Sequence, residues 1–274
     1  MLKKYIKKSL LGTASGLGFL WHLIPSVLRQ NLIRGMMILE SRGVSQEKGL
    51  HGLFRLSDYL YQVINERALA LGHGVHPKHE LMRYADFFTD FIADGWRVLD
   101  VGCSYGEVAR RVAIARPQAT VLGIDYEQPK IDMAKNLQNP PNLDFVLGDA
   151  TVSVPDGGWD ALILSNVLEH IHDRIGFLRA LISTTGAQVF LIRVPFFDRD
   201  WQMPLRRQVG ANYYSDPDHK IEHTLDEFRA ELDAAGLDLT HLETPWGRSG
   251  HGLFHVKHCD NTQKIHRSVH RLKI

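Results

Sequence analysis

The chain has 274 residues, 44% of them hydrophobic and 23% charged, and a formal net charge of +1. These are ordinary globular values that suit one large domain with additions, and the neutral balance gives no global reason to expect nucleic acid as a partner. Its only two cysteines, Cys103 and Cys259, form neither a disulfide framework nor a metal-spaced pair, which points to a reducing, cytoplasmic setting.

The first 35 residues are unusual. Lys3, Lys4, Lys7 and Lys8 precede a charge-free stretch from Ser9 to Leu28, and no acidic residue appears before Glu40. A cleaved signal peptide would need a denser apolar run, and a spanning helix would not be diluted by Gly12, Gly16, Gly18, His22 and Pro25. Both readings stay open beside two stronger ones: a basic amphipathic segment on the inner face of an anionic membrane, or an N-terminal helix packed on the body or frayed. Residues 1–78 are taken as a helical extension, with Phe54, Tyr59, Leu60, Val63 and Ile64 as its helical stripe. Gly72, Gly74 and Pro77 break that pattern, and His79-Glu80-Leu81 opens a second helix whose apolar side carries Leu81, Tyr84, Phe87, Phe88 and Phe91. His73, His76 and His79 lack the carboxylate or cysteine partners of a firm zinc site, so no metal is expected there.

Residues 97–110, RVLDVGCSYGEVAR, are the centre of the pattern. Val98, Leu99 and Val101 suit a buried strand, Asp100 lies near its end, and helical spacing begins after Gly106. This is the entry turn of a βαβ unit, which aims helix N-terminal N–H groups at a ligand. The spacing Gly102-x-Ser104-x-Gly106 does not fit the G-x-G-x-x-G of dinucleotide binding, so an NAD enzyme is disfavoured. A second strand, TVLGI, ends at Asp125, whose carboxylate suits vicinal ribose hydroxyls, and Tyr126 follows to cover an adenine edge. A helix over 127–138 leads to a third strand, Leu143–Leu147, followed by Gly148-Asp149-Ala150. The fourth strand, Trp159–Leu164, is nearly all apolar and therefore central, and it runs into Ser165-Asn166-Val167-Leu168-Glu169-His170. A helix over 167–184, a fifth strand Gln188–Val194, a helix Thr224–Ala235 and strands Leu237–Leu242 and Leu253–Lys257 complete the pattern.

These motifs resemble the class I S-adenosylmethionine (SAM) methyltransferases: the D-x-G-x-G-x-G loop with Ser104 at the middle glycine, and an S-x-V-L-E-H run like that of the ubiquinone-biosynthesis-like branch. The resemblance implies an α/β, Rossmann-like doubly wound sheet of seven strands, the last antiparallel, spanning residues 79–259 with an insertion at 195–223 and a basic tail at 260–274. It implies SAM as cofactor, bound by Asp100, Gly102, Cys103, Ser104, Gly106, Asp125, Tyr126, Asp149, Ala150 and Ser165, with Tyr84 and the loop before it as a lid. The segments HPKHELMRYADFF, IRVPFFDRDW and DPDHKIEHT also resemble methyltransferases found with bacterial surface-polysaccharide genes, which implies O-methylation of a sugar hydroxyl.

The insertion is where an acceptor is expected. Aromatic faces stack on sugars and arginines clamp anions, so Phe197, Arg199, Trp201, Arg206 and Arg207 are the candidate substrate contacts. A sugar hydroxyl is a weak nucleophile, and His170, then His219 and His223, with Asp198 or Asp200 behind them, are the candidate bases. No metal site is expected, since His219 and His223 lack HExxH or cysteine partners. A lipid or quinone acceptor, and a non-catalytic SAM-fold module serving a glycosyltransferase, are the competing readings.

Overall fold

The computed structural model describes residues 16–73, 76–244 and 251–258. Lys3, Lys4, Lys7, Lys8 and the basic tail after Cys259 lie outside the described residues. The chain forms two compact units, one running through Ala70 together with Gln208–Ala211, the other Leu71–Arg207 with Asn212 onward.

The first unit is helical: α1 over 16–23, α2 Ser26–Glu40 and α3 Gln46–Leu71. The turn between α2 and α3 is tight because Gly49 lets the helix approach the Ser41 carbonyl, where a Cβ would stand only 2.7 Å from that oxygen. His51 Nε2 meets the Val209 carbonyl and so ties in Gln208–Ala211. The expected apolar stripe of α3 is not a buried one. Phe54 is buried, whereas Tyr59, Leu60, Val63 and Ile64 are all more than half exposed. Helix α2 buries no residue. Among the described residues, no helix is long and apolar enough to cross a membrane.

The second unit is built on a seven-stranded sheet. Its strands are β1 Arg97–Val101, β2 Thr120–Asp125, β3 Leu143–Leu147, β4 Ala161–Ser165, β5 Val189–Pro195, β6 Leu237–Glu243 and β7 His251–His258. The order is β3-β2-β1-β4-β5-β7-β6, and β7 runs antiparallel to both β5 and β6. The other pairs are parallel, with Leu99 level with Leu122 and Leu162, and Leu162 level with Phe190. Side chains alternate across a strand, so each central strand supplies two cores. Val98, Ile163 and Leu191 pack on one face with α5 (Tyr84–Asp90, after the short α4, Lys78–Met82), α6 (Glu107–Ala115) and α7 (Gln128–Asn136). Leu99, Leu162, Leu164, Phe190 and Ile192 pack on the other with α8 (Arg174–Thr185) and α10 (Leu225–Ala235). The last of these helices, α10, carries a capping box, in which Thr224 Oγ1 accepts from the Glu227 N–H while the Glu227 carboxylate accepts from the Thr224 N–H.

Two expected elements differ. The helix expected from His79 is broken at Arg83, which turns left-handed at φ 48°, so Leu81 is left exposed while Tyr84, Phe87 and Phe88 are buried. The helix expected from residue 167 begins only at Arg174. Asn166 leaves β4 at φ 59°, Leu168–His170 make a single 3-10 turn, and Asp173 then caps α8 by accepting from the Gly176 N–H at 2.9 Å. The local break puts Glu169 and His170 on a turn at the sheet edge. The insertion after β5 holds a short helix, α9 Gln202–Gln208.

Strand β5 joins the parallel part of the sheet to its antiparallel part, pairing with β4 on one side and β7 on the other. Phe190 is fully buried on a strand flanked on both sides. Phe190→Ala is expected to cost about 3–5 kcal/mol in urea unfolding; a loss below about 1 kcal/mol would contradict this packing.

Candidate active site at the carboxyl edge of the sheet

In open α/β sheets ligands bind beyond the carboxyl ends of the strands. Here that edge presents Asp100 near the end of β1, Asp125 at the end of β2 and Ser165 at the end of β4, with Asp149 two residues beyond β3. The turn after β1 is built for close approach. Gly102 and Gly106 have φ of 70° and 75°. A Cβ on Gly102 would stand 2.8 Å from Val167 Cγ2, and one on Gly106 would stand 2.3 Å from Phe145 Cζ. Ser104 also adopts a left-handed conformation, at φ 52°, the backbone state that glycine takes without cost. The serine therefore keeps the turn of the expected glycine.

Asp125 holds this loop in place. Its Oδ2 accepts from the Ser104 N–H at 2.9 Å, and its Oδ1 accepts from the Glu127 N–H at 2.9 Å. Each oxygen keeps a further lone pair for a ligand hydroxyl. Asp100 is buried, and its Oδ2 has no hydrogen-bond partner. Burial pushes its carboxyl up to about 7; the Ala109 N–H at the start of α6 works against the shift, and nearby Asp125 adds to it. Cys103 is buried, and burial raises its thiol well above the usual range. Tyr126 is exposed beside Asp125. Asp149 is engaged locally, its Oδ1 accepting from both the N–H and the hydroxyl of Thr151 at 2.9 and 2.7 Å. A cavity of about 550 Å³ adjoins this region, lined by Gly72, His76, Glu80, Arg83 and Glu107. Tyr84 does not line it. The Tyr84 ring is buried under the Arg193 guanidinium, 3.9 Å from the ring centre, so it is packed rather than free to close as a lid.

The insertion docks beside the turn after β4. The Lys220 N–H donates to the Glu169 carbonyl at 2.7 Å, and this bond carries His219 to His170. The two imidazoles meet edge to face with centroids 4.8 Å apart. His219 Nδ1 and Glu222 Oε1 are 3.0 Å apart. Glu222 also accepts from Ser215 and pairs with Arg199. Burial alone would raise the Glu222 carboxyl; His219, Ser215 and Arg199 outweigh it and hold it at about 2. His170 Nδ1 lies 3.4 Å from Asp218 Oδ2. Burial and then His219 lower the His170 pKa, which keeps a neutral imidazole. Between them lies Glu169, fully buried, with neither carboxylate oxygen hydrogen-bonded. Burial pushes its carboxyl up to about 7, against the pull of its own backbone N–H, His219 and Arg193.

Of the three candidate bases, His170 and His219 converge and His223 does not. His223 is fully buried, with its Nε2 2.9 Å from Glu231 Oε2 and its ring against Phe228, so it is a core histidine. The expected arginine clamp is also largely spent. Arg199 pairs with Glu222 and donates to the carbonyls of Phe196 and Tyr213 at 2.9 and 3.0 Å. Arg206 is buried and donates to the Asn212 carbonyl at 2.9 Å. Both arginines satisfy backbone acceptors that the insertion would otherwise bury. Phe197 is buried, edge to face with Tyr213 and with the Arg207 guanidinium 5.4 Å from its ring centre. Trp201 alone of the expected aromatic contacts is well exposed. Sequence reading passed over Glu169, although it sits inside the S-x-V-L-E-H run, beside the histidine that reading picked out.

Residues 72–242 match a family model described as a methyltransferase domain. The chain is 30% identical over 123 residues to a ubiquinone biosynthesis O-methyltransferase of Bartonella tribocorum, covering 44% of this chain and 49% of that protein. It is 27% identical over 160 residues to a 2-methyl-6-phytyl-1,4-hydroquinone methyltransferase of Synechocystis, covering 54% and 48%. A ribosomal protein L11 methyltransferase of Thermotoga neapolitana is 27% identical over 151 residues, covering 51% and 56%. The chain thus spans about half the length of the curated relatives it matches. Among solved structures, a magnesium protoporphyrin IX methyltransferase from Synechocystis with bound S-adenosylhomocysteine (SAH) superposes with a TM-score of 0.52 at 16% identity, covering 65% of this chain and 84% of that one.

The Glu231 cluster gives a pH test. Burial raises the Glu231 carboxyl, but His223 and Arg174 outweigh it and hold it at about 2. A carboxyl depressed in the fold stabilises fully above its unfolded pKa of about 4.3 and loses that contribution as pH falls through the folded value. Wild type should therefore lose about 2 kcal/mol from this group between pH about 4.5 and about 2. Acid unfolding of Glu231→Gln should show a shallower decline over that window; an unchanged slope would contradict the assignment.

Proposed function

The chain belongs to the methyltransferase-domain family and is a SAM-dependent methyltransferase, and on that premise we propose that it methylates a hydroxyl oxygen, most specifically a sugar hydroxyl in a glycan or glycan precursor. SAM supplies a methyl group on a sulfonium, already a good leaving group. The residues present fit it: the turn after β1 carries left-handed Gly102, Ser104 and Gly106, and Asp125 and the partnerless Oδ2 of Asp100 offer acceptors to its polar groups. The observation that carries the oxygen acceptor is the convergence of His170, His219 and Glu169 on the turn after β4, at the same sheet edge as the glycine loop.

The protein has three tasks in such a transfer. It must align acceptor oxygen, methyl carbon and sulfur, exclude water, and remove one proton as the carbon–oxygen bond forms and the carbon–sulfur bond breaks. His170 suits the proton. Burial and neighbouring His219 lower its pKa, which favours the neutral imidazole that can receive a hydroxyl proton. Exposed Trp201 offers the apolar face of a sugar a stacking surface. A quinol acceptor is the second reading, favoured by the ubiquinone and hydroquinone methyltransferases among the relatives.

The test is methyl transfer from labelled SAM to a panel of sugars, lipid-linked sugars and quinols. Transfer to a sugar hydroxyl is expected, with His170→Ala about 10²–10⁴-fold slower and SAM binding retained. Transfer confined to quinols would replace the sugar reading. Full activity in His170→Ala would remove the cluster from the reaction.

A further inference from the structure

The Glu169 carboxylate poses a problem that the methyl-transfer reading leaves unsolved. It is fully buried, and neither oxygen has a hydrogen-bond partner. Buried polar groups are almost always paired, because an unpaired one forfeits its hydration and gains nothing. Two imidazoles stand beside it. One ligand atom from each of Glu169, His170 and His219 can be chosen so that all three lie within 4.8 Å of one another. We propose that Glu169, His170 and His219 form a binding site for a divalent transition-metal cation, whose open positions receive the acceptor hydroxyl.

Three features support the site. First, the donors are a carboxylate and two imidazoles, Glu169 and His170 from the turn after β4 and His219 from the insertion, the set that holds zinc and other first-row divalent ions while leaving positions for an exogenous oxygen. Magnesium prefers oxygen donors and suits this set less well. Second, the histidines are oriented as ligands are. His219 Nδ1 is engaged by Glu222, which leaves its Nε2 for a cation, and His170 Nδ1 is buried with no hydrogen-bond partner, 3.4 Å from Asp218 Oδ2. Carboxylates behind metal-bound histidines set tautomer and ring direction in this way. Third, the framework behind them is firm. Lys220 is bonded through its N–H to the Glu169 carbonyl, and Glu222 is held by Arg199 and Ser215. Donors around a tetrahedral ion stand roughly 3.4 Å apart, so the set, within 4.8 Å, has to draw in slightly around an ion.

The proposal deepens the hydroxyl-transfer reading and rests on it only for the acceptor. A cation at this point lowers the pKa of a bound hydroxyl and fixes its oxygen. His170 then holds the ion, and the proton passes to solvent or to a neighbouring carboxylate rather than to the imidazole.

Metal binding is measured without acceptor. The full chain, stripped with chelator and dialysed, is titrated by calorimetry with Zn²⁺, Mn²⁺ and Mg²⁺, and bound metal is counted by mass spectrometry. One Zn²⁺ or Mn²⁺ per chain is expected, with Mg²⁺ at least tenfold weaker. Glu169→Gln and His219→Asn should each weaken binding by 10-fold or more, while His241→Gln, a surface histidine on β6, should bind as wild type does. SAM affinity, read in parallel, should be unchanged in both cluster variants, which shows that they fold. If Glu169→Gln does not fold, His219→Asn and a metal-dependent rise in wild-type melting temperature carry the test. Wild type with no bound Zn²⁺ or Mn²⁺, or with binding unaffected by His219→Asn, overturns the site. Metal binding without any transfer to hydroxyls would keep the site and refute the acceptor reading instead.

Discussion

The Asp125 carboxylate is the constraint on which the cofactor end of the molecule depends. It accepts from the Ser104 N–H in the turn after β1 and from the Glu127 N–H in the turn after β2. Those two turns are adjacent only because β1 and β2 are parallel neighbours in register. One carboxylate therefore sets the distance between the loop that leads into α6 and the start of α7. The glycine positions follow from the same closeness: Phe145 of β3 packs where a Gly106 side chain would be, and Val167 packs where a Gly102 side chain would be. The loop is narrow because the sheet beneath it is packed, and the packing is dense because central strands feed a core on each face.

The acceptor end depends on a different kind of bond. The insertion after β5 has no large core of its own, and it is held by charged groups answering backbone carbonyls. Arg199 and Arg206 serve Phe196, Tyr213 and Asn212, and Glu222 gathers Arg199, Ser215 and His219. A single main-chain bond, Lys220 to Glu169, then fixes that assembly to the turn after β4. Side chains from residues 169, 170 and 219 come together as a consequence. Rigid support of this sort places reactive groups well, since a displacement of an ångström costs much of the benefit of alignment.

Much of this was legible in the chain. The apolar run of Val98, Leu99 and Val101, followed by Gly102 and Gly106, reads as a buried strand feeding a tight turn, and Asp100 and Asp125 do stand at or near the ends of β1 and β2. Seven strands with an antiparallel last one were expected and are present. The failures share a cause: long-range bonds decide what local pattern cannot. His219 and His223 are equivalent by spacing, yet one faces His170 and the other is buried on Glu231 and Phe228. Arginines 199 and 206 look like anion clamps until the carbonyls they answer are seen. The helix start at Arg174 rather than 167 rests on the left-handed turn at Asn166 and the cap at Asp173, both small effects in sequence. Helix α3 shows the opposite failure, since its apolar stripe is clear in sequence and mostly exposed.

The most direct test of the central claim is a calorimetric titration of the purified chain with SAM, S-adenosylhomocysteine and NAD, repeated on Asp125→Ala. The account predicts saturable binding of the two sulfur nucleosides, no binding of NAD, and loss of affinity in the variant. A folded wild-type chain that binds neither sulfur nucleoside, or that binds NAD in their place, would contradict it.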